Sequence, residues 1–300
     1  MLKQRIITAT LLATLMVLAV FQLPPYYFSL LIAIVMLFGA YEWLNLTHVT
    51  DFKKRLVFFS ALIFMMLFIH AWTYFLEALA HLLDYLAEKY KFVLEDIRYQ
   101  SGLLEWFAIP AVLFWIIAML VIRNAPHDLL SRKFSPFKTA LVGWFIFLMT
   151  WFFLSRLRIL YGSEMVFYFF MLIWVADIAA FIVGKKWGTI QLAPDISPGK
   201  TVQGMYAALG SAVVCALTLS LIMGFKNPMV VADFTLLSIL TVLTSIYGDL
   251  FFSVIKRRAG VKDSGSLLPG HGGVLDRIDS LCAAIPLFYA GIYLEAYGLF

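Results

Sequence analysis

The chain has 300 residues, of which 63% are hydrophobic and 17% aromatic, while only 14% are charged against roughly 25% in an ordinary soluble domain. That much apolar surface exceeds what cores of this size can bury, so a water-soluble globule is excluded and lipid must solvate the rest. The formal charge of +5 is therefore read as a membrane-topology signal before it is read as affinity for nucleic acid, which is not expected as a partner.

A hydrocarbon layer of about 30 Å needs roughly 20 mostly apolar helical residues. Stretches of that kind predict an all-α polytopic membrane protein with nine spans: Ile6 to Leu23, Phe28 to Leu46, Leu56 to Tyr74, Phe107 to Ile122, Thr139 to Leu154, Met165 to Val183, Met205 to Phe225, Phe234 to Phe252 and Leu281 to Leu299. The first has a basic start, Lys3 and Arg5, but its apolar run is long and no A-x-A site precedes Pro24 and Pro25, so it is read as a retained span. Between the third and fourth spans, Leu76, Leu79, Leu83, Leu86, Tyr90, Val93 and Ile97 form one stripe, which predicts an amphipathic outer helix near 76–100. It is expected to lie on the bilayer surface, with a cap over the bundle or a contact in a homodimer as alternatives. No repeat or linker appears, so the chain reads as one membrane-embedded domain, with scaffold spans over about 1–160 and catalytic spans and loops over about 165–300.

With the N-terminus inside, 17 of the 23 basic residues fall on the inner side, and Lys89, Lys91, Arg98, Arg156, Arg158 and Lys226 fall outside. Only the loop carrying Arg156 and Arg158 runs against the rule. The expected topology is N-in and C-out, in a cytoplasmic membrane.

Polar groups interrupt the last four spans. Asp177 lies inside the sixth, where an unpaired carboxylate is costly, so it marks a site; a structural pair with Lys185 is the alternative. The loop after it carries Gly184-Lys-Lys-Trp-Gly188 and then Ser197-Pro-Gly-Lys-Thr201 and Gly204. Ser197, Gly199, Lys200, Thr201 and Lys185 suit a phosphate chain, because glycine admits the oxyanion and lysine supplies charge. A P-loop is refused, since GxxxxGK[ST] would need glycine where Pro194 stands. On its own, a short re-entrant turn with a topology-setting lysine explains the loop about as well.

The segment from Gly248 is more specific. Asp249, Ser253 and Lys256 recur at i, i+4 and i+7 on one helical face, and Asp276, Asp279 and Ser280 open the next helix at i, i+3 and i+4. Two carboxylate-bearing walls joined by the turn Gly270-His-Gly-Gly273 can hold a divalent cation, while the amides of Gly272 and Gly273, with Lys262 and His271, meet phosphate oxygens. Each piece has a plain alternative: an N-cap at Asp276 or Asp279, a hairpin turn at Gly270 to Gly273, a charge anchor at Lys256-Arg257-Arg258.

Ser253-x-Ile-Lys-Arg, four residues, Lys262-Asp-x-Gly265, then Leu268-Pro-x-His-Gly-Gly273-Val-x-Asp-Arg-Ile-Asp279 resembles the complete signature of the phosphatidate cytidylyltransferases, also called CDP-diglyceride synthases. The Asp177 to Gly188 stretch, the Ser197 to Thr201 loop, Gly248-Asp249 and Tyr41-Glu-Trp43 also resemble the bacterial enzymes; the segment 76–105 resembles them little. The resemblance implies an Mg2+-dependent membrane enzyme that condenses CTP with phosphatidate into CDP-diacylglycerol and pyrophosphate. Lys185, Lys200, Lys256, Arg257, Lys262 and Arg277 then neutralise phosphates, and Asp249 and Asp276 are the expected metal ligands, with Asp279 next. Asp263 is expected to orient Lys262 or Arg257, and Asp177 to meet a second cation, a lysine or the cytidine end. Other readings are a cytidylyltransferase for a different phosphorylated lipid, a silent paralogue, and a transporter of an anionic solute, for which paired polar sites in both halves would be expected.

Overall fold

The computed structural model describes residues 2–91, 104–131, 134–268, 270 and 272–296. Among the described residues nine α-helices and one two-stranded hairpin follow in the order α1 (Leu2–Gln22), α2 (Pro25–Leu46), α3 (Phe52–Tyr90), α4 (Ala108–Asn124), α5 (Pro126–Ser131), α6 (Pro136–Trp187), β1 (Gln191–Ala193), β2 (Ser197–Thr201), α7 (Val202–Met223), α8 (Pro228–Arg258) and α9 (Leu275–Ala296). Seven of these helices are long and apolar enough to cross a membrane, and Thr10–Gln22 is a shorter apolar helix.

Local chemistry sets the boundaries. Pro25, Pro136 and Pro228 occupy first turns, where the missing N–H costs nothing. Asp51 caps α3 by accepting from the Lys53 N–H (3.0 Å), and Asn227 caps α8 by accepting from that of Met229 (3.0 Å). Gly224, at φ +69°, ends α7 in a left-handed cap.

The 52-residue α6 is two helices joined at Gly162, whose φ of +83° and ψ of −178° break the helical path. Contacts with α9 fix their directions. Along the first half, Phe147 lies beside Leu275 and Ile278, and Phe153 stacks near Tyr289. Along the second, Phe169 meets Phe288, and Asp177 shares a cavity with Arg277 and Asp279. The halves therefore run antiparallel and account for both expected spans, Thr139 to Leu154 and Met165 to Val183.

Lipid offers no hydrophobic drive between helices, so close packing and internal hydrogen bonds hold the bundle. The buried face of α7 is Gly204, Ala208, Ala212, Ala216 and Ser220, a small residue every fourth position, which lets α6 and α8 approach closely. Trp43 packs closely against Gly143, where a Cβ would strike the indole, and its ring N–H donates to the Thr139 carbonyl (3.0 Å). Arg156, which runs against the charge rule, is half-buried and paired with Glu105, and Arg158 donates to the Leu23 carbonyl (3.2 Å). They are internal partners at the end of the bundle opposite Asp249.

Two expectations change. The stripe at residues 76–90 belongs to an unbroken extension of the third span: α3 runs 39 residues, about 58 Å at 1.5 Å per residue, and so exceeds a bilayer core. Residues 92–100 lie outside the described set. Within the 184–204 stretch, the connection from α6 to α7 holds a β-hairpin, pairing Gln191 with Thr201 and Ala193 with Ser197, where a loop was expected.

Candidate active site

The hairpin, the second half of α6, the end of α8 and the start of α9 enclose a cavity of about 450 Å³. Asp177 reaches it from α6, so the carboxylate stands in a polar space that Lys200 and Arg277 also line. From the hairpin come Ser197, Gly199, Lys200 and Thr201. Asp249, Ser253, Lys256 and Arg257 come from α8, Lys262 and Asp263 from the following loop, and Asp276, Arg277, Asp279 and Ser280 from α9. The helical faces expected to share one wall do so.

Lys200 Nζ lies 2.7 Å from Asp249 Oδ2 and 3.2 Å from the Ile246 carbonyl, so the hairpin is tied by charge to α8. Ser253 donates to Asp249 Oδ1 (3.2 Å), as their i, i+4 spacing allows. Lys256, only 8% exposed, lies 2.8 Å from Asp276 Oδ1 and 3.7 Å from Asp279 Oδ2, which joins α8 to α9. Arg257 is aimed by the Ile196 and Val261 carbonyls (3.1 and 3.2 Å). Thr201 is the N-cap of α7, its hydroxyl accepting from the Gly204 N–H (3.1 Å).

Five carboxylates line this cavity: Asp177, Asp249, Asp263, Asp276 and Asp279. Five cations oppose them: Lys200, Lys256, Arg257, Lys262 and Arg277. In their ionised forms these two sets cancel, so among the described residues the lining has cationic groups in place but no surplus of positive charge. Among the described residues no group of three or more His, Cys, Asp or Glu gathers into a ready-made metal cage.

Several expected roles change. Lys185 lies outside the cavity lining, exposed, with its ammonium over the Phe181 ring (5.7 Å), because i+8 from Asp177 carries it beyond the cavity rim. Gly272 and Gly273 do not line the cavity either. The Gly273 N–H is committed to Asp276 Oδ2 (3.0 Å), and a Cβ on Gly272, at φ +85°, would crowd that same carboxylate. These glycines cradle a side chain where phosphate contact was expected. Asp263 forms no ion pair with Lys262 or Arg257. His271 lies outside the described residues.

One residue outside the expected set reaches the same loop. Glu42, on α2 and 2% exposed, accepts from the Ser264 hydroxyl (2.7 Å) and from the N–H groups of Val274 (3.0 Å) and Leu275 (2.8 Å). Its signal was available as an acid inside an apolar span.

A second cavity, of about 510 Å³, shares Leu192 and Met205 with the first and runs between α4, α7 and α8. Met119, Leu120, Leu243 and Leu250 line it, with Arg123.

Comparison with known proteins adds an independent finding. A family model described as the cytidylyltransferase family matches residues 3–295. The phosphatidate cytidylyltransferase of Haemophilus influenzae is 35% identical over 300 residues, covering 96% of this chain and 97% of its own. That of Pseudomonas aeruginosa is 32% identical over 299 residues, covering 99% of both. That of Bacillus subtilis is 40% identical over 132 residues, 43% of this chain and 47% of its own.

Proposed function

The chain belongs to the cytidylyltransferase family, and from that premise we propose that it transfers the cytidylyl group of CTP to phosphatidate, giving CDP-diacylglycerol and pyrophosphate. The observation that carries the reading is the cavity in which Lys200, Lys256, Arg257, Lys262 and Arg277 converge at one end of an apolar bundle. A triphosphate needs such cations, and a lipid phosphate anchored in the bilayer can reach them at that end. The second cavity, beside Leu192 and Met205, has an apolar side at Met119, Leu120, Leu243 and Leu250 that offers a wall for the acyl part of the lipid. The enzyme is further proposed to lie in the bacterial cytoplasmic membrane with this cavity facing the cytoplasm, where CTP is found.

In the reaction a phosphate oxygen of phosphatidate attacks the α-phosphorus of CTP. A new P–O bond forms as the bond to the bridging oxygen breaks, and pyrophosphate leaves with the electron pair. Positioning and neutralisation suffice for such a transfer, so no protein nucleophile is assigned to Ser253 or any other residue. Lys200 and Lys256 hold their ammonium groups at carboxylates bordering the cavity, preset to turn toward entering phosphates. Arg257, aimed by two carbonyls, and Arg277 meet the remaining phosphate oxygens.

The balanced charge of the cavity supports a divalent cation. A triphosphate brings about −4, which the lining cannot offset while its carboxylates occupy its cations. Magnesium is held by one or two carboxylates plus substrate phosphates and water, so the absence of a three-ligand cage among the described residues fits it. Asp249 and Asp276 would hold it, with Asp279 beside them. When bound, Mg2+ supplies positive charge at the phosphate oxygens.

The test supplies purified protein in detergent with Mg2+, phosphatidate and CTP labelled at either the α- or the γ-phosphate. The α-label should appear in a lipid-soluble product that depends on phosphatidate, and the γ-label in pyrophosphate. No α-label in lipid, with folded protein, contradicts the proposal.

A further inference from the structure

We propose that Glu42 is a positioning residue for this site, a latch through which α2 sets the signature loop and the Asp276 carboxylate; the proposal rests on the function given above. Glu42 comes from the scaffold half, more than 220 positions before its partners in the chain. Both of its oxygens are used as acceptors: Oε2 by Ser264 and Leu275, and Oε1 by Val274. The loop from residue 262 to 274 is thereby pinned at both ends.

Asp276 grips the same two strands of the loop. Its Oδ2 accepts from the Ser264 N–H (2.9 Å) and the Gly273 N–H (3.0 Å), while Oδ1 faces Lys256. Ser264 is therefore held by Glu42 through its hydroxyl and by Asp276 through its amide. Gly265 and Gly273 leave no room for a Cβ against Glu42, so the loop is moulded on this carboxylate. Displacing Glu42 moves Ser264 and Gly273, and these two amides fix how Asp276 faces the cavity. Lys262 and Asp263 precede Ser264 directly and move with it. Glu42 lies outside the cavity lining, so it acts through its neighbours and does not touch substrate.

The substitution Glu42→Gln keeps the shape and sets an amide donor against N–H and O–H donors. Ser264→Ala removes one contact and leaves the two backbone bonds to Glu42 intact. Full-length protein in detergent is compared by hydrogen–deuterium exchange and by turnover. Glu42→Gln should speed exchange in peptides covering 262–276 without speeding it in α7 or in the second half of α6. It should also cut kcat by about tenfold or more, the range seen when partners orienting a ligand are lost, and raise the half-saturating Mg2+ concentration. Ser264→Ala should fall between this variant and the parent chain. Unchanged exchange over 262–276, or acceleration spread evenly through all helices in both variants, overturns the latch. So does full turnover in Glu42→Gln with the parent Mg2+ dependence. A parent chain that makes no CDP-diacylglycerol sinks the assigned reaction instead, and the exchange comparison still decides the latch.

Discussion

Lys200 and Lys256 hold carboxylates on α8 and α9, so each lysine is a strut in the structure and, in the proposed reaction, a cation for phosphate. Changing either to Ala should cut turnover by about 10², the effect of losing one charge that stabilises a transition state. Lys53→Ala, at an exposed position on α3 away from the cavity, should leave turnover within about twofold, because an isolated exposed charge contributes little. Equal losses in all three, read as initial rates with saturating CTP, would mean that overall charge was being measured. Helical spacing makes the Asp249, Ser253, Lys256 face and the Asp276, Asp279, Ser280 face legible in the sequence, since i, i+3 and i+4 positions must share a side. The roles of Gly272 and Gly273 are not legible in that way. A glycine beside a phosphate and a glycine beside a carboxylate look alike until the third dimension brings Asp276 and Glu42 to them. Glu42 is reached by the rule that singled out Asp177, yet its partners lie so far along the chain that spacing alone cannot pair them.

At the level of elements, length and hydropathy mark the long apolar helices, including the two halves that meet at Gly162, because the bilayer imposes one scale on every span. They do not reveal that α3 continues past the membrane, since a helix leaving lipid keeps its backbone bonds and only its side chains change. Nor do they reveal the β1–β2 hairpin, where pairing is tied to the helices through Lys200, Arg257 and Gln203 rather than through local propensity. The small-residue face of α7 makes a separate prediction. Ala212 is fully buried where α7 packs in the bundle. Ala212→Leu should cost about 1–3 kcal/mol by overpacking and appear as a lower melting temperature in detergent. Leu221→Ala, on the lipid-facing side of the same helix, should change it little. Equal shifts would remove the small-residue seam as the basis of helix packing.

Over the whole molecule, the polar machinery is gathered at one end, while the ion pair of buried Glu105 with half-buried Arg156 closes the other. The proposed orientation is tested by cysteine labelling in intact cells. Leu267→Cys lies in the exposed signature loop and Met229→Cys at the exposed start of α8 on the opposite end. An impermeant maleimide should label Met229→Cys before lysis and Leu267→Cys only after it. The reverse order would put the cavity on the wrong side for CTP.

In the proposed reaction, a charge-balanced cavity becomes competent for a triphosphate through a divalent cation held at Asp249 and Asp276. The most direct measurement is transfer of α-labelled CTP into lipid as Mg2+ is titrated, in the parent chain and in Asp249→Asn and Asp276→Asn. Asparagine keeps size and hydrogen bonding while removing one charge, so expression and melting temperature should change little. Transfer should vanish in chelator for the parent chain. It should fall by at least about 10² in both variants, with partial recovery at high Mg2+ that Lys256→Ala does not share. Transfer that persists in chelator, or both variants retaining the parent rate and Mg2+ dependence, would contradict the account.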